Sequence, residues 1–497
     1  MYTGNLHGQF LHLFGKNTMI HNRTLWKAAQ TLVLSASVIL FASITVKAQT
    51  IQEQIDAAVQ REMTAQNIPG LALAIVKNGT IAFSKGYGLA DRERNIAMTP
   101  ATRFQIASTS KAVTAVAVMQ LVEEGRIALA DDINKFLPFP VRNPMFADRP
   151  ITVEMVLAHT SSINDGPTLF NLVVPGDSPI SLADLISRSL QPTGNLYDQA
   201  ATFATRAPGT EFRYTNMNTA LLGYIVERVA GRPFNVQCNE RIFTPLCMNA
   251  SRWFLSELDS SNVARPYRKS GMTLTPRPHT GFPDYPDGQL RSTVLDLSKF
   301  LWAFINGGVP FAGARMLRSE TISTMTRVRF AGSEMGLHLF SDDLDGTITW
   351  GHGGSLEDAG SDLQFSVGDS IGVSILANTD VRITSLRNAI MRLARELPVN
   401  PRNPVQCILA TSVRSQASID AASIEISPNP TADVLRVNCS EKNVSVRLVD
   451  VLGNIVFQQE NVSTPLHISL AELVQGSYYL VISREGSVVA TKYVVKM

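Results

Sequence analysis

Residues 104–122 read FQIASTSKAVTAVAVMQLV, and this segment tells most about the architecture. It places Ser108 and Lys111 in a Ser-x-x-Lys pattern at the start of a helix that should end at Gly125. One helical turn separates the two side chains, so they face the same way. The positions after Lys111 are mostly apolar on every side, which predicts a buried helix. Burial and the positive end of the helix dipole should lower the pKa of Lys111, so that its neutral amine can take the proton of Ser108.

A second motif is needed, because a chain of this length contains roughly one Ser-x-x-Lys match by chance. Tyr214 and Asn216 flank one residue in a loop that runs into another apolar helix. Both side chains can then point into one cleft. Tyr214 could pass a proton to a leaving group, and Asn216 could bind a substrate carbonyl. The alternative is that Asn216 only caps the helix and Tyr214 only packs.

A third motif, Trp350-Gly-His-Gly-Gly-Ser355, lies on a strand late in the chain. Glycines weaken a strand and often mark the close approach of another backbone, so an extended substrate could add alongside His352, Gly353, Gly354 and Ser355. The backbone N–H groups of Ser355 and Ser108 would then form an oxyanion hole. The alternative is a glycine-rich bulge with an exposed histidine.

The pattern around these motifs predicts an α+β fold. Apolar residues recur every four positions from Ile51 to Met63, which indicates an amphipathic helix. A hairpin should follow, with Asn78-Gly79 as its turn. Strand-like runs near residues 347–377 should join that hairpin in one antiparallel sheet, with helices on both faces and a helical lobe from the middle of the chain.

The end of the chain differs in composition. Residues 399–423 are rich in Pro, Asn, Ser and Ala, and they are interpreted as a linker. Short strand-like runs separated by Gly453-Asn454 and Glu485-Gly486 follow. They predict a small all-β, immunoglobulin-like sandwich over residues 424–497.

The three motifs together resemble the family of class C β-lactamases, D-alanyl-D-alanine carboxypeptidases, D-aminopeptidases and related esterases. Residues 157–161 (LAHTS) and 288–300 are also similar to segments of that family, and the likeness covers roughly residues 50–396. The resemblance implies a β-lactamase/transpeptidase-like fold without a cofactor or metal. It also implies a role for each motif residue: Ser108 is acylated, Lys111 and Tyr214 exchange protons, Asn216 contacts substrate, and His352, Gly353, Gly354 and Ser355 form the pocket edge.

Two positions depart from the family pattern. His352-Gly353-Gly354 stands where many β-lactamases have Lys-Thr-Gly, and a histidine is mostly neutral at pH 7. If His352 contacts a substrate carboxylate, lowering the pH toward about 6 should improve the binding of carboxylate substrates but not of neutral esters. Ser162 replaces a glycine that usually follows His-Thr-Ser, and the sequence offers no reason for it.

The tail resembles type IX secretion sorting domains of Bacteroidota-like bacteria. The similarity rests on Ile426-Ser-Pro-Asn-Pro430, on residues 449–455 and 476–480, and on a last strand that ends in lysine. It implies that an outer-membrane export machine is a partner of the chain. The alternative for a small β-sandwich is a carbohydrate or cell-wall binding module.

Composition limits the remaining possibilities. Basic and acidic residues nearly balance, 44 against 42, so binding to nucleic acid is not expected. A basic and then apolar stretch ends in Val46-Lys47-Ala48, which predicts a signal peptide over residues 1–48 and no membrane span once it is removed. The alternative is a single membrane anchor, for which the apolar run is short. The four cysteines fit neither a zinc site nor a disulfide framework, although a Cys238–Cys247 bridge is permitted.

We therefore expect a hydrolase domain over residues 49–398, exported through the periplasm to the cell surface or the medium. It should act through a Ser108 acyl-enzyme on a small-molecule or peptide substrate with an amide, peptide, lactam or ester bond. The sequence does not choose among these bonds. The other class of function is a catalytically silent surface protein that keeps the fold for binding. Gly176-Asp177-Ser178 and Gly368-Asp369-Ser370 are interpreted as loops and not as esterase signatures.

Overall fold

The computed structural model describes residues 49–166, 169–311, 313–399, 424–429, 431–439, 444–450, 455–462, 465–473, 476–484 and 487–496. The expected signal peptide lies outside the described residues. So do residues 400–423 of the expected linker and the turn pairs Gly453-Asn454 and Glu485-Gly486.

Residues 51–396 combine helices and strands as an α+β fold. The α-helices are α1 Ile51–Gln66, α2 Ser110–Glu123, α3 Val153–Leu157, α4 Leu182–Leu190, α5 Gln199–Thr202, α6 Asn216–Ala230, α7 Phe234–Cys238, α8 Val294–Ile305, α9 Ser319–Met325 and α10 Thr384–Glu396. The strands are β1 Gly70–Lys77, β2 Thr80–Asp91, β3 Ile96–Ala97, β4 Phe104–Gln105, β5 Val174–Pro175, β6 Tyr267–Ser270, β7 Thr273–Pro276, β8 Thr280–Gly281, β9 Arg291–Ser292, β10 Phe340–Leu344, β11 Thr347–Leu356, β12 Ala359–Ser366 and β13 Ile371–Ala377.

The expected hairpin is present as β1 and β2. Asn78 and Gly79 both have positive φ angles, 47° and 76°, as a tight hairpin turn requires. The helix expected before it is α1, which buries Ile55, Val59 and Met63 on one face.

The main sheet joins the two ends of this region, as expected. Its strand order is β10-β11-β12-β13-β1-β2-β3. The central pair, β1 and β13, is antiparallel and places Leu71 opposite Ala377. Strand β11, which carries the third motif, is therefore separated from β1 by two strands, β12 and β13.

Both faces of the sheet are buried. In β1, Leu71, Leu73 and Ile75 face α1 and α10, whereas Ala72, Ala74 and Val76 face the helical lobe. Burial of each larger side chain contributes about 1.5–3 kcal/mol. This two-sided burial explains why β1 is apolar throughout and does not alternate with polar residues.

The helical lobe is built around α2, which is buried from Ser110 to Leu121. Helix α2 packs against α6, whose residues Met217–Val226 are also buried. Glu124 caps the end of α2, and Gly125 follows with φ +69°, so the helix ends where the sequence predicts.

Lys77, the last residue of β1, binds the C-terminal end of α10. Its ammonium donates to the carbonyl oxygens of Ala394, Arg395 and Leu397, at 2.9, 2.7 and 2.9 Å. These carbonyls lie in the last turn of α10 and at its C-cap residue, Leu397, where backbone acceptors outnumber the available N–H donors. The first strand and the last helix are therefore joined directly.

The tail forms two small sheets around a common core. Its strands are β14 Ile424–Ser427, β15 Val434–Cys439, β16 Val444–Asp450, β17 Ile455–Val462, β18 Leu466–Ser469, β19 Gly476–Arg484 and β20 Ser487–Lys496. The sheet orders are β14-β15-β18 and β17-β16-β19-β20. Leu435 and Ile468 of one sheet share a core with Leu448 and Leu480 of the other, as in a sandwich.

Lys496 lies near the end of the last strand and is 8% exposed. Its ammonium donates to the carbonyls of Leu470, Ala471 and Leu473, so it ties the last strand to the segment after β18. Over the described part of the chain, helices of the length and hydropathy needed to span a bilayer are not found.

Candidate active site

Ser108 lies in a single turn of 3-10 helix, Ala107–Thr109, directly before α2. Ala107 has φ +48°, a conformation that non-glycine residues rarely adopt. The turn is held from both sides: the N–H of Ile106 donates to the carbonyl of Leu290 at 2.9 Å, and the Ser361 hydroxyl donates to the carbonyl of Ile106 at 2.6 Å. The nucleophile candidate is thus fixed by strand and loop contacts.

Lys111 is fully buried and contacts Ser108. Its ammonium donates to the Ser108 Oγ at 3.2 Å, to the Asn216 Oδ1 at 2.9 Å and to the Asp287 carbonyl at 2.8 Å. These three acceptors match the three hydrogens of the ammonium group. The structure therefore brings Ser108, Lys111 and Asn216 together.

The expected direction of the Lys111 pKa shift is wrong. Burial lowers this pKa, but the Tyr214 oxygen and the carboxyl groups of Asp287 and Asp284 raise it by more, so the net pKa lies above the ordinary value. One carboxylate oxygen of Asp287 is 4.0 Å from the Lys111 Nζ. In the resting site the lysine is therefore an ammonium ion and not a free amine.

The two acids beside Lys111 are themselves buried, each 5% exposed. Burial raises the pKa of both, and each affects the other: the negative charge of Asp287 raises the pKa of Asp284 further. The pair sits in the segment directly before residues 288–300. Neither aspartate could be predicted from the sequence, because an Asp-x-x-Asp spacing in a loop has no specific meaning by itself.

Tyr214 lies over Lys111, with its ring centroid 5.1 Å from the Nζ. The ring packs against those of His159, Phe340 and His352, with centroid distances of 4.6, 6.4 and 6.0 Å. The sequence motif therefore does place Tyr214 beside Lys111. The packing alternative is correct as well, since the same ring fills an aromatic cluster.

Asn216 is the first residue of α6, and the N-cap position belongs to Thr215 without a side-chain hydrogen bond. The interpretation of Asn216 as a helix cap is therefore wrong. Its Oδ1 is bound to Lys111, so only its amide NH₂ remains for a substrate carbonyl.

His159 is a positioning residue that the sequence analysis did not identify, although it lies in the family-like segment 157–161. Its carbonyl accepts the N–H of Arg213 at 2.7 Å, and its Nδ1 accepts the N–H of Thr215 at 3.3 Å. These two bonds hold the backbone on either side of Tyr214. Burial, with the nearby His338, lowers the His159 pKa well below its ordinary value, so the ring is a neutral acceptor.

Strand β11 passes directly beside the Ser108 turn. A Cβ at Gly354 would lie 2.7 Å from the Ile106 carbonyl oxygen and 2.9 Å from the Ser108 nitrogen, so only glycine fits there. Strand β10 pairs with residues 347–351 of β11, while His352 to Leu356 pair only with β12 among the described strands. The other edge of that segment is open to an added strand, and Ser355 on it is exposed.

His352 is buried, 4% exposed, so the alternative of an exposed histidine is wrong. Its Nδ1–H donates to the Gly353 carbonyl at 2.6 Å. Burial, with the charge of Lys111, lowers the pKa of His352 to about 3. The expectation that His352 gains a proton near pH 6, and with it the expected pH dependence of carboxylate binding, is therefore wrong.

Ser162 now has an explanation. Its φ of +69° is one that favours glycine. The Ser162 Oγ accepts from the Asn143 amide at 2.6 Å and donates to the Arg206 carbonyl at 2.8 Å. The hydroxyl thus gains two buried hydrogen bonds that offset the cost of the conformation.

The remaining sequence features are structural. Gly368-Asp369-Ser370 forms the turn between β12 and β13, and Gly176-Asp177-Ser178 is a loop, as expected. Cys238 is a free, buried thiol, so the Cys238–Cys247 bridge is not formed.

Two family models match this chain. One, described as Beta-lactamase, covers residues 55–396, and the other, described as a secretion system C-terminal sorting domain, covers residues 425–496. The first match spans more than half of the chain. The chain belongs to the beta-lactamase family. The three motifs and the sheet order described above all lie within the matched region.

A curated protein is similar to part of this chain. Protein flp of Staphylococcus aureus (strain N315) is 26% identical over 328 residues, which are 66% of this chain and 63% of that protein. The chain thus spans less than two thirds of the curated relative.

Two solved structures share the beta-lactamase-family fold. The octameric penicillin-binding protein homologue from Pyrococcus abyssi is 24% identical, with 90% of this chain and 96% of that chain covered and a TM-score of 0.60. The D-amino acid amidase from Ochrobactrum anthropi SV3 is 21% identical, with 69% and 99% covered and a TM-score of 0.55. At these identities the likeness concerns the fold.

Proposed function

We propose that this protein is an exported serine hydrolase in which Ser108 forms an acyl-enzyme with an ester or amide substrate. One observation carries the proposal: the fully buried Lys111 ammonium contacts the Ser108 Oγ and lies under the Tyr214 ring. The three hydrogen bonds of this ammonium position the Ser108 and Asn216 side chains relative to each other. The ammonium can also stabilise negative charge that develops on the Ser108 or the Tyr214 oxygen.

Proton transfer in this site involves Lys111 and Tyr214 as one coupled pair. In the proposed active form the pair lacks one proton, and the raised pKa of Lys111 keeps the remaining proton on the amine. The Tyr214 oxygen then takes the hydroxyl proton of Ser108 as the Oγ attacks the substrate carbonyl carbon. This replaces the first hypothesis, in which a neutral Lys111 was the base.

The remaining steps follow from the same geometry. The oxyanion of the tetrahedral intermediate would accept hydrogen bonds from the backbone N–H groups of Ser108 and Ser355. As the intermediate collapses, the carbonyl–leaving group bond breaks and Tyr214 returns its proton to the leaving group. Water then attacks the acyl-enzyme, Tyr214 takes the water proton, and Ser108 recovers a proton as the acid is released.

The tail supports the proposal of export. The match to a sorting domain over residues 425–496, together with the signal-like sequence at residues 1–48, favours passage through the periplasm and type IX secretion. The hydrolase would then act at the cell surface or outside the cell.

Intact-mass measurement of an acyl adduct tests the catalytic proposal. Wild type, Ser108→Ala and Ser110→Ala are incubated with a fluorophosphonate, an activated ester and a penicillin. Ser110 is a matched control, because it lies two positions away and its buried hydroxyl has no hydrogen-bond partner among the described residues. We expect an adduct with the fluorophosphonate and the ester in wild type and Ser110→Ala only.

Labelling of Ser108→Ala equal to that of wild type would refute the assignment of the nucleophile. Absence of any adduct in wild type would favour a catalytically silent binding protein. An adduct with penicillin as well as with the ester would indicate that the site also accepts lactams.

A further inference from the structure

We propose that Asp380 determines specificity at this site by disfavouring substrates with a carboxylate beside the open edge of β11 and favouring neutral or ammonium-bearing ones. This inference rests on the proposed function. It names the class of substrate: esters and amides whose leaving group carries no negative charge, in preference to peptides with a free C-terminal carboxylate.

The position of Asp380 is fixed at the pocket edge. The Ser355 hydroxyl donates to the Asp380 Oδ1 at 2.7 Å. Ser355 lies on the open segment of β11, and its backbone N–H is the proposed oxyanion donor. Asp380 thus places a negative charge one side chain away from the point where the substrate carbonyl would bind.

The backbone around Asp380 has little freedom to move away. The segment that carries it passes over Gly360, where a Cβ would lie 3.2 Å from the Thr379 carbonyl oxygen and 2.6 Å from a methyl group of Val381. Gly360 pairs with Ser355 across β11 and β12. The backbone on either side of Asp380 is therefore packed against the sheet, while the hydrogen bond between Ser355 and Asp380 is itself exposed.

Other charged groups near this edge do not compensate for Asp380. His352, on the same strand, is buried and neutral. Lys111 directs its three hydrogens to acceptors within the protein, and Arg268 is paired with Glu357 at 2.8 Å. Among the described residues, no basic side chain lies within 4 Å of the Asp380 carboxylate.

The chemical consequence is a selection by charge. A carboxylate on the leaving group would enter beside Asp380 without a cation to bind it, whereas an ammonium group would be attracted. For a substrate charge taken to lie about 8 Å from the Asp380 carboxylate, with an effective dielectric constant of about 40, the interaction is about 1 kcal/mol, which corresponds to roughly fivefold in rate.

Three acetate esters test this inference, with 3-hydroxybenzamide, 3-hydroxybenzoate and 3-(aminomethyl)phenol as leaving groups. The measured quantity is kcat/KM, normalised to the spontaneous hydrolysis of each ester. We expect wild type to hydrolyse the carboxylate ester about fivefold more slowly than the neutral one and the ammonium ester at least as fast.

Asp380→Asn keeps an acceptor for the Ser355 hydroxyl and removes the charge. It should bring the three normalised values to within about twofold of one another. Asp148→Asn, which removes the same charge from an exposed turn, should leave the wild-type ratios unchanged. In 0.5 M salt the wild-type differences should shrink, because screening weakens interactions between exposed charges.

The outcomes separate this inference from the proposed function. Equal values for the three esters in wild type, or ratios that Asp380→Asn does not change, would overturn the inference while hydrolysis itself stands. A wild-type preference for the carboxylate ester would overturn it as well. Failure to form any Ser108 adduct would overturn the proposed function and this inference together.

Discussion

Gly354→Ala should reduce acylation of Ser108, because the new methyl group points at the backbone of the turn Ala107–Thr109, which carries Ser108. The added Cβ would lie 2.7 Å from the Ile106 carbonyl oxygen and 2.9 Å from the Ser108 nitrogen, where ordinary contacts begin at 3.4 Å. The turn must therefore shift by about 0.5–0.7 Å. Since a displacement of about 1 Å can cost about 100-fold in rate, we expect a 10- to 100-fold loss.

The assay is the rate of fluorophosphonate labelling, followed by intact mass at several times. Gly368→Ala is the matched control: it lies in the turn between β12 and β13, where the nearest atoms to an added Cβ are 4.0 Å away. Overpacking should also lower the stability of Gly354→Ala by about 1–3 kcal/mol, so folding is checked by thermal unfolding. Labelling of a folded Gly354→Ala variant within threefold of wild type would show that β11 does not pack against Ser108.

Three further predictions concern buried charges and protons. Lys111→Met should slow acylation by roughly 10²–10⁴-fold and leave its three acceptors without a donor, which labelling kinetics and denaturant titration would measure. Because the His352 pKa is about 3 in the folded protein and about 6.5 when unfolded, the unfolded chain binds the extra proton as the pH falls below about 6.5. Through His352 alone, the free energy of unfolding should fall by about 2 kcal/mol from pH 7.5 to pH 5. His352→Gln should reduce this dependence of stability on pH. Lys496→Met should destabilise the C-terminal sandwich by about 1–3 kcal/mol and reduce the amount of protein at the cell surface; unchanged surface labelling would contradict this.

The sequence was sufficient to predict those helices and strands whose patterns depend only on neighbouring residues. The Asn78-Gly79 turn and the four-residue spacing in α1 depend only on nearby residues, and both elements form as expected. In the tail, the sequence predicted strand-like runs at residues 434–437, 444–449, 455–458, 478–483 and 488–495, but not β14 and β18. Each is four residues long, too short for an alternating pattern to stand out.

The sequence predicted which residues form the site, but it did not predict their protonation states. Ser108 and Lys111 are fixed by one helical turn, and the motif order correctly placed Tyr214 with them. The pKa of Lys111 depends on its burial and on two partners far along the chain, the Tyr214 oxygen and the carboxyl group of Asp287, which is 176 residues away. Likewise, burial of His352 depends on the aromatic cluster around it, and no local pattern reveals which rings will assemble there.

The contact of Lys77 with the end of α10 has a mechanical consequence. A pull on the chain beyond Leu397 would be carried by three hydrogen bonds into β1, a central strand of the main sheet. The beta-lactamase-family region would thus resist unfolding from its C-terminal end while the tail is under tension. Cleavage of the chain after residue 399 would leave these three hydrogen bonds in place.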